Sequence, residues 1–385
     1  MRKVLSVTGI RSEYDAIYPV LKAIDEHPDL ELKICVTGAH LSERFGMTVN
    51  LIKADGFAIA DEVQNLIDGN TKGAQVRGAA MQLLGLTQCI EREKPDFLLV
   101  VGDREEVLTS AIAGAYMYIP TVHVSGGDKI VGCVDDQVRH ATTKLAHIHF
   151  ATNKYSAERI IRLGEEPFRV FNVGSPALDR FLEIPPMDKA ALFEWYGFPP
   201  EWLSKPLLML IQHVVSSEST QGYQQMKTTL EAIQYLGWPT VLSYPNSDAG
   251  SGELIRCIEE YKDMACLRIF KNIPRHEFVN TLRHAACLVG NSSLGIIEAP
   301  FLKLPVVNIG NRQNDRLHGD NVVFVPHDFQ AILDAVRHCV SDKGFLKEVA
   351  KGYDLYGTGH ASSKIADILA TIPIDNRLLI KQITY

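Results

Sequence analysis

The sequence predicts an α/β protein built from two Rossmann-like domains that face each other across a cleft. Three observations lead there. Short apolar runs alternate with amphipathic, helix-length stretches along most of the chain, the pattern of βαβ units in a doubly wound parallel sheet. The chain has 385 residues, and at roughly 100–200 residues per domain two cores are expected. The alternation breaks once, in the Pro-rich stretch 175–206 that holds Pro176, Pro185, Pro186, Pro199, Pro200 and Pro206, and then restarts.

In the first half the apolar runs predict strands over 4–8, 32–37, 97–101, 121–124, 149–151 and 170–172. The patterns between them predict helices over 14–26, 75–93 and 107–116. Runs this short and this apolar suit parallel strands covered on both faces. After the break, strands are predicted over 207–212, 240–243, 267–270, 287–289, 306–309 and 322–325. Helices are predicted over 219–236, 251–261, 276–286, 294–301, 329–341 and, last, 362–370. The domains are therefore placed at 1–175 and 176–385, with the last helix returning to the first domain. Ligands of open α/β sheets bind at the carboxyl ends of the strands, so two such halves set their loops against a shared cleft.

Composition narrows the function. Thirty-nine basic and 46 acidic residues leave a net charge of −7. A nucleic-acid binder needs a basic face to neutralise phosphates, so that class is set aside. The seven cysteines (Cys35, Cys89, Cys133, Cys257, Cys266, Cys287 and Cys339) show no CxxC spacing. They read as buried reduced thiols in a reducing compartment. The opening MRKVLSVTGI leads straight into a glycine turn, so it reads as a first strand and not as a signal peptide. No apolar run approaches the ~18 residues of a membrane span. A cytoplasmic protein without membrane partners is expected.

Four loops at predicted strand ends concentrate charged and small residues. The first, Thr8-Gly9-Ile10-Arg11-Ser12-Glu13, places the cation of Arg11 beside a helix start, which suits an anionic ligand; taken alone, a plain βα turn with a surface Arg is the favoured reading. It is not a GxGxxG. The second is Gly102-Asp103-Arg104-Glu105-Glu106, where Asp103 is either a helix N-cap or a carboxylate aimed at a ligand. In the third, Gly126-Gly127-Asp128 is followed by Asp135 and Asp136. Crowded carboxylates suit acid–base work, while an Asp-capped helix starting near Asp135 is the structural alternative. The fourth, Gly290-Asn291-Ser292-Ser293-Leu294-Gly295, offers amides, two hydroxyls and a helix start as a diphosphate cradle, with Glu298 one turn on. The sequon there is set aside as chance, since nothing indicates secretion. His213, Asn246 and Arg312 stand in loops that follow other predicted strands of the second half. Thirteen histidines show no metal-ligand spacing, so no metal is expected.

Taken together and in order, these segments resemble the UDP-N-acetylglucosamine 2-epimerase family, most closely its hydrolysing branch. The segments are 8–14, Val36-Thr37-Gly38-Ala39-His40-Leu41, Gly102-Asp103-Arg104, Gly126-Gly127-Asp128, 135–144, 246–250, 290–295 and 310–313, spread over nearly the whole chain. The resemblance implies a glycosyltransferase-B-like fold that holds UDP mainly in the second domain. It places Arg11, Arg104, His213, Asn246, Ser292, Ser293, Glu298 and Arg312 on nucleotide- or diphosphate-binding positions. Asp103 and Asp135 fall on catalytic carboxylate positions, and Asp128 aligns with an acidic one. Ser125 departs from the Glu that several relatives carry there. Relatives associate through helices of the first domain, which implies a homodimer or homotetramer.

The implied chemistry needs no cofactor. Loss of UDP from C1 and of a proton from C2 gives a 2-acetamido-glycal, and water then adds with the C2 proton on the opposite face. Asp103, Asp128 and Asp135 are the candidates for proton transfer. Arg11, His213, Arg312 and the Ser292–Ser293 turn would stabilise the departing diphosphate. The expected products from UDP-N-acetylglucosamine are UDP and N-acetylmannosamine. The same reaction on UDP-2,4-diacetamido-2,4,6-trideoxyglucose is the first alternative, and a non-hydrolysing epimerase or a glycosyltransferase of the same fold lies further off.

Overall fold

In the computed structural model the chain is described over residues 1–67, 71–130, 134–246, 248 and 250–385; Cys133, Ser247 and Ala249 lie outside these residues. The chain divides into two compact units. The first comprises Met1–Lys129, Val134–Phe181 and Tyr356–Tyr385, and the second Leu182–Leu355 with Ile130. The chain thus leaves the first unit after Phe181, beyond the junction expected at 175, and re-enters it at Tyr356.

The first unit is built on seven parallel strands: β1 (Arg2–Thr8), β2 (Leu30–Thr37), β3 (Ile59–Val63), β4 (Phe97–Val101), β5 (Thr121–Val124), β6 (Ile148–Ala151) and β7 (Val170–Asn172). Their order is β3-β2-β1-β4-β5-β6-β7. β1 is sandwiched, with Ser6 level with Ile34 of β2 and with Leu99 of β4. The central strands are buried on both faces, and Val4, Leu5, Ile34, Leu98, Leu99 and Val100 are all inaccessible. This is why they read as continuous apolar runs. β3 was not predicted. It is an edge strand of sequence IADEV, buried only at Val63, so it carries no apolar run.

The second unit holds six parallel strands: β8 (Leu207–Ile211), β9 (Thr240–Ser243), β10 (Leu267–Phe270), β11 (Ala285–Gly290), β12 (Val306–Ile309) and β13 (Val322–Val325). Their order, β10-β9-β8-β11-β12-β13, repeats that of the first six strands of the other sheet. In both sheets the order reverses beside the first strand, between β1 and β4 and between β8 and β11. In open α/β sheets that reversal leaves a crevice at the strand carboxyl ends, where ligands bind. One predicted helix differs. The stretch 294–301 forms two single turns, Leu294–Ile297 and Ala299–Leu302, broken at Glu298. Pro300 has no N–H to continue the ladder across the break.

The returning segment is bound tightly into the first unit. Helix Ala361–Thr371 buries Ile365, Ala366 and Leu369 in the core. The carboxylate of Asp179 accepts the backbone N–H groups of His360 and Ser362, both at 2.8 Å. Arg169 donates to the carbonyls of Arg377 and Leu378, each at 2.6 Å. Lys381 meets the buried Glu165 at 2.7 Å, as does Lys144, and His149 lies 3.3 Å from the same carboxylate. Burial raises the Glu165 carboxyl, but the His149 hydrogen bond and the two lysines outweigh it and hold it at about 2. The six described cysteines are free and buried. Among the described residues no helix is long and apolar enough to cross a membrane.

Four histidines of the first unit are buried: His40, His123, His147 and His149. Burial lowers the first two to about 3 and the others to about 4, from an ordinary 6.5. The unfolded chain therefore binds protons that the fold refuses once pH drops below 6.5. Stability is fully present above that pH and falls toward pH 4, by up to about 1.4 kcal/mol per pH unit for each histidine. Urea midpoints at pH 7.0, 5.5 and 4.5 should fall progressively; a midpoint unchanged down to pH 4.5 would contradict the burial of these rings.

Candidate active site

The first unit gathers its charged residues at the ends of β1, β4 and β5. β4 ends in Gly102 at φ +89°, whose N–H bonds to the carbonyl of Val124 at 3.0 Å. The ring of His123 meets the Gly102 carbonyl through Nε2 at 2.8 Å. Only a protonated Nε2 can donate to a carbonyl, so this neutral ring is the Nε2–H tautomer. Asp103 follows directly. It is not the N-cap of helix Glu105–Met117, which is Arg104; its carboxylate instead forms a short ion pair with Arg139.

Arg139 lies on helix Val134–Leu145, one turn after Asp135, and is 5% exposed. Besides Asp103 it lies 3.8 Å from Asp128 and donates to the backbone carbonyl of Ser125 at 3.1 Å. Burial works against its charge, but the carboxylates of Asp103, Asp128 and Asp135 outweigh burial and raise its pKa. The structure thus brings Asp103 and Asp128 onto one guanidinium, and puts half-buried Asp135 in its field. Ser125 has the left-handed backbone, φ +65°, a conformation of non-glycine residues that clusters at functional sites.

Arg11 and Arg104 also stand at these strand ends, each beside carboxylates. Arg11 pairs with Asp15 at 3.0 Å. Arg104 lies 3.7 Å from Glu105 and 3.6 Å from Glu106. Glu106 explains Gly9: a Cβ there would come within 1.8 Å of its carboxylate. Glu13, in the first turn after β1, is raised well above the usual carboxylate range by burial and by Glu106.

In the second unit, Asn291 connects the ends of β8 and β11. Its side chain accepts from the His213 N–H at 2.7 Å and donates to the His213 carbonyl at 2.9 Å. The Asn291 carbonyl in turn accepts from Arg312 at 3.2 Å and from Gln313 at 2.8 Å. His213 accepts the Asn246 N–H at Nδ1, 3.2 Å away. When the ring is neutral its proton is therefore on Nε2. Asn246 donates to Asp248 at 2.6 Å. Ser292 and Ser293 are half-buried, and Ser292 Oγ accepts the Leu294 N–H at 3.3 Å. Glu298 is buried at the break between the two short helical turns. That break corrects one expectation: a single helical turn sums too few peptide dipoles to act as a macrodipole. What remains at this loop is hydroxyls, amides and Arg312.

Within the second unit His213, Asn246 and Arg312 join one network around Asn291, a residue that sequence reasoning noted only for its sequon. Within the first, Asp103 and Asp128 meet on Arg139, which the sequence showed only as one more charge in DDQVRH. His123 is the other omission; its position at the end of an apolar strand was its only signal. Among the described residues no group of three or more His, Cys, Asp or Glu could hold a metal ion.

Asn291 is 1% exposed, and Asn291→Ala unpairs two buried backbone groups of His213. A loss of about 2–3 kcal/mol is expected. Ser292→Ala removes a single hydrogen bond, to the Leu294 N–H, and should cost about 1 kcal/mol. Urea denaturation of the two variants should give that order, and the reverse order would refute the central role of Asn291.

Comparison with known proteins places the chain in a family. Residues 22–370 match the family described as UDP-N-acetylglucosamine 2-epimerase. A curated relative from Legionella pneumophila, UDP-N,N'-diacetylbacillosamine 2-epimerase (hydrolyzing), is 38% identical over 99% of this chain and 99% of its own. The UDP-N-acetylglucosamine 2-epimerase of Neisseria meningitidis serogroup B is 31% identical over 89% of this chain and 88% of its own. Among solved structures, a Neisseria meningitidis UDP-GlcNAc 2-epimerase bound to UDP-GlcNAc superposes with a TM-score of 0.78 at 19% identity, covering 95% of this chain and 99% of that one. That likeness supports a glycosyltransferase-B-like fold made of two Rossmann-like units. With nearly its whole length matched, the chain belongs to the UDP-N-acetylglucosamine 2-epimerase family.

Proposed function

We propose that this protein is a hydrolysing 2-epimerase of UDP-sugars, with UDP-N,N'-diacetylbacillosamine as its preferred substrate and UDP-N-acetylglucosamine as the second reading. The observation that carries the reaction is the Asp103–Arg139–Asp128 constellation: carboxylates held at strand ends by a buried cation suit removal of a carbon-bound proton. The order of substrates rests on the 38% identity to the Legionella enzyme named for the diacetamido sugar, against 31% to the Neisseria enzyme named for UDP-N-acetylglucosamine.

The hydrogen at C2 has no adjacent carbonyl to acidify it. Cleavage of C1–O expels UDP and builds positive character at C1, which makes the C2 proton removable. A carboxylate among Asp103, Asp128 and Asp135 takes it, leaving the 2-acetamido-glycal. Water then adds its hydroxyl to C1 while a second acid places a proton on the opposite face of C2. The products are UDP and the free 2-epimer. The His213 Nε2–H, Asn246, Ser292, Ser293 and Arg312 of the second unit serve the diphosphate, with Arg11 and Arg104 of the first. Glu298 serves the nucleotide as an acceptor for the ribose hydroxyls. No cofactor or metal enters this scheme.

The protein works in the cytoplasm, where nucleotide-sugars are made, and associates with itself. Val76 and Leu84 on helix Lys72–Glu93 and Tyr116 and Tyr118 at the end of helix Glu105–Met117 are all at least two-thirds exposed. These two helices pack on each other, and their exposed apolar side chains suit a homodimer or homotetramer.

Proton NMR in D2O with each UDP-sugar in its own tube tests the reading. Release of UDP with a deuterated 2-epimer is expected, faster from the diacetamido substrate. Turnover of UDP-N-acetylglucosamine alone would reverse the substrate order. UDP binding without release in either tube would remove the hydrolysing reaction.

A further inference from the structure

Resting on the reading above, the geometry points to Arg139 as the positioning residue of the reaction, a buried cation that pairs with Asp103 and Asp128 and has Asp135 in its field. Its guanidinium reaches Asp103 after β4, the Ser125 carbonyl at the left-handed end of β5, and Asp128 beyond the double glycine. Asp135 stands one turn before it on the same helix face. The planar fork of an arginine can serve three acceptors in fixed directions, which a lysine ammonium cannot.

The reaction explains why such a residue is needed. Proton removal and proton return occur on opposite faces of C2, so the groups responsible must keep fixed places relative to one ring. Three carboxylates left near one turn repel one another and spread apart. A buried cation among them converts repulsion into a fixed arrangement, and misplacement by about 1 Å costs on the order of 100-fold in rate. Arg139 need not touch the sugar; it acts through Asp103 and Asp128.

The test is a double-mutant cycle on the full-length protein, with wild-type turnover of both UDP-sugars as its reference. Arg139→Met should lower kcat roughly 100-fold while KM and the calorimetric affinity for UDP stay within about twofold, since Arg139 acts on the carboxylates and is not itself one of the UDP-binding groups. Arg139→Lys keeps the buried charge where Arg139→Met fails to fold, and should retain activity between the two. The deciding variant is Asp103→Asn/Arg139→Met. If Arg139 acts through Asp103, the double variant is no slower than the slower single one. Losses that multiply, an Arg139→Met kcat equal to wild type, or a KM that rises in step with a falling melting temperature would each overturn the assignment. A wild-type enzyme that releases no UDP from either sugar would remove the reaction itself, and the assignment with it.

Discussion

The guanidinium of Arg139 is the charge around which the first unit's loops are arranged. Removing a cation from water is costly unless it is paired and hydrogen-bonded. Here Asp103 and Asp128 pair with it and Ser125 accepts from it. These partners come from two strand ends and the loop beyond, while the cation comes from a helix more than ten residues later in the chain. One buried charge therefore ties together segments that the sheet alone leaves independent. The His123 ring adds a neutral strut, fixing the Gly102 carbonyl just before Asp103.

The second unit solves the matching problem by other means. Its two central strand ends are joined by the neutral side chain of Asn291, which uses its donor and its acceptor on one residue, His213. Arg312 joins the network by donating to the Asn291 backbone carbonyl.

The frame was legible in the sequence because buried parallel strands write themselves as apolar runs. All of the predicted strands lie on β-strands of the structure. What escaped had no such signature. β3 is a half-exposed edge strand with two acidic residues, and helix Lys154–Arg162 buries only Ser156 and Ile160. The helix predicted over 294–301 hid its break because apolar spacing continues through Pro300. In the site, strand-end position was enough to pick out Asp103, Asp128, His213 and Arg312. Arg139 and Asn291 were not, since their importance lies in partners distant along the chain. An arginine in an amphipathic helix and an asparagine in a turn look ordinary until those partners are known.

The turn between β5 and Asp128 shows how such a site can vary without losing its geometry. Ser125 holds a left-handed backbone that a non-glycine residue adopts only when its surroundings impose it. They do: its N–H bonds to the Phe150 carbonyl at 2.9 Å, and its own carbonyl accepts from Arg139. Two residues on, Gly127 at φ +76° leaves no room for a side chain, since a Cβ would lie 2.4 Å from the Ser156 carbonyl. The path to Asp128 is thus set by backbone bonds and a close approach of two chains. The hydroxyl of Ser125 takes no part in either bond. A different side chain at 125 would change the chemistry at this strand end while the carboxylate beyond it stays in place. The side chain at 125 and the placement of the Asp128 carboxylate are therefore set independently on this turn.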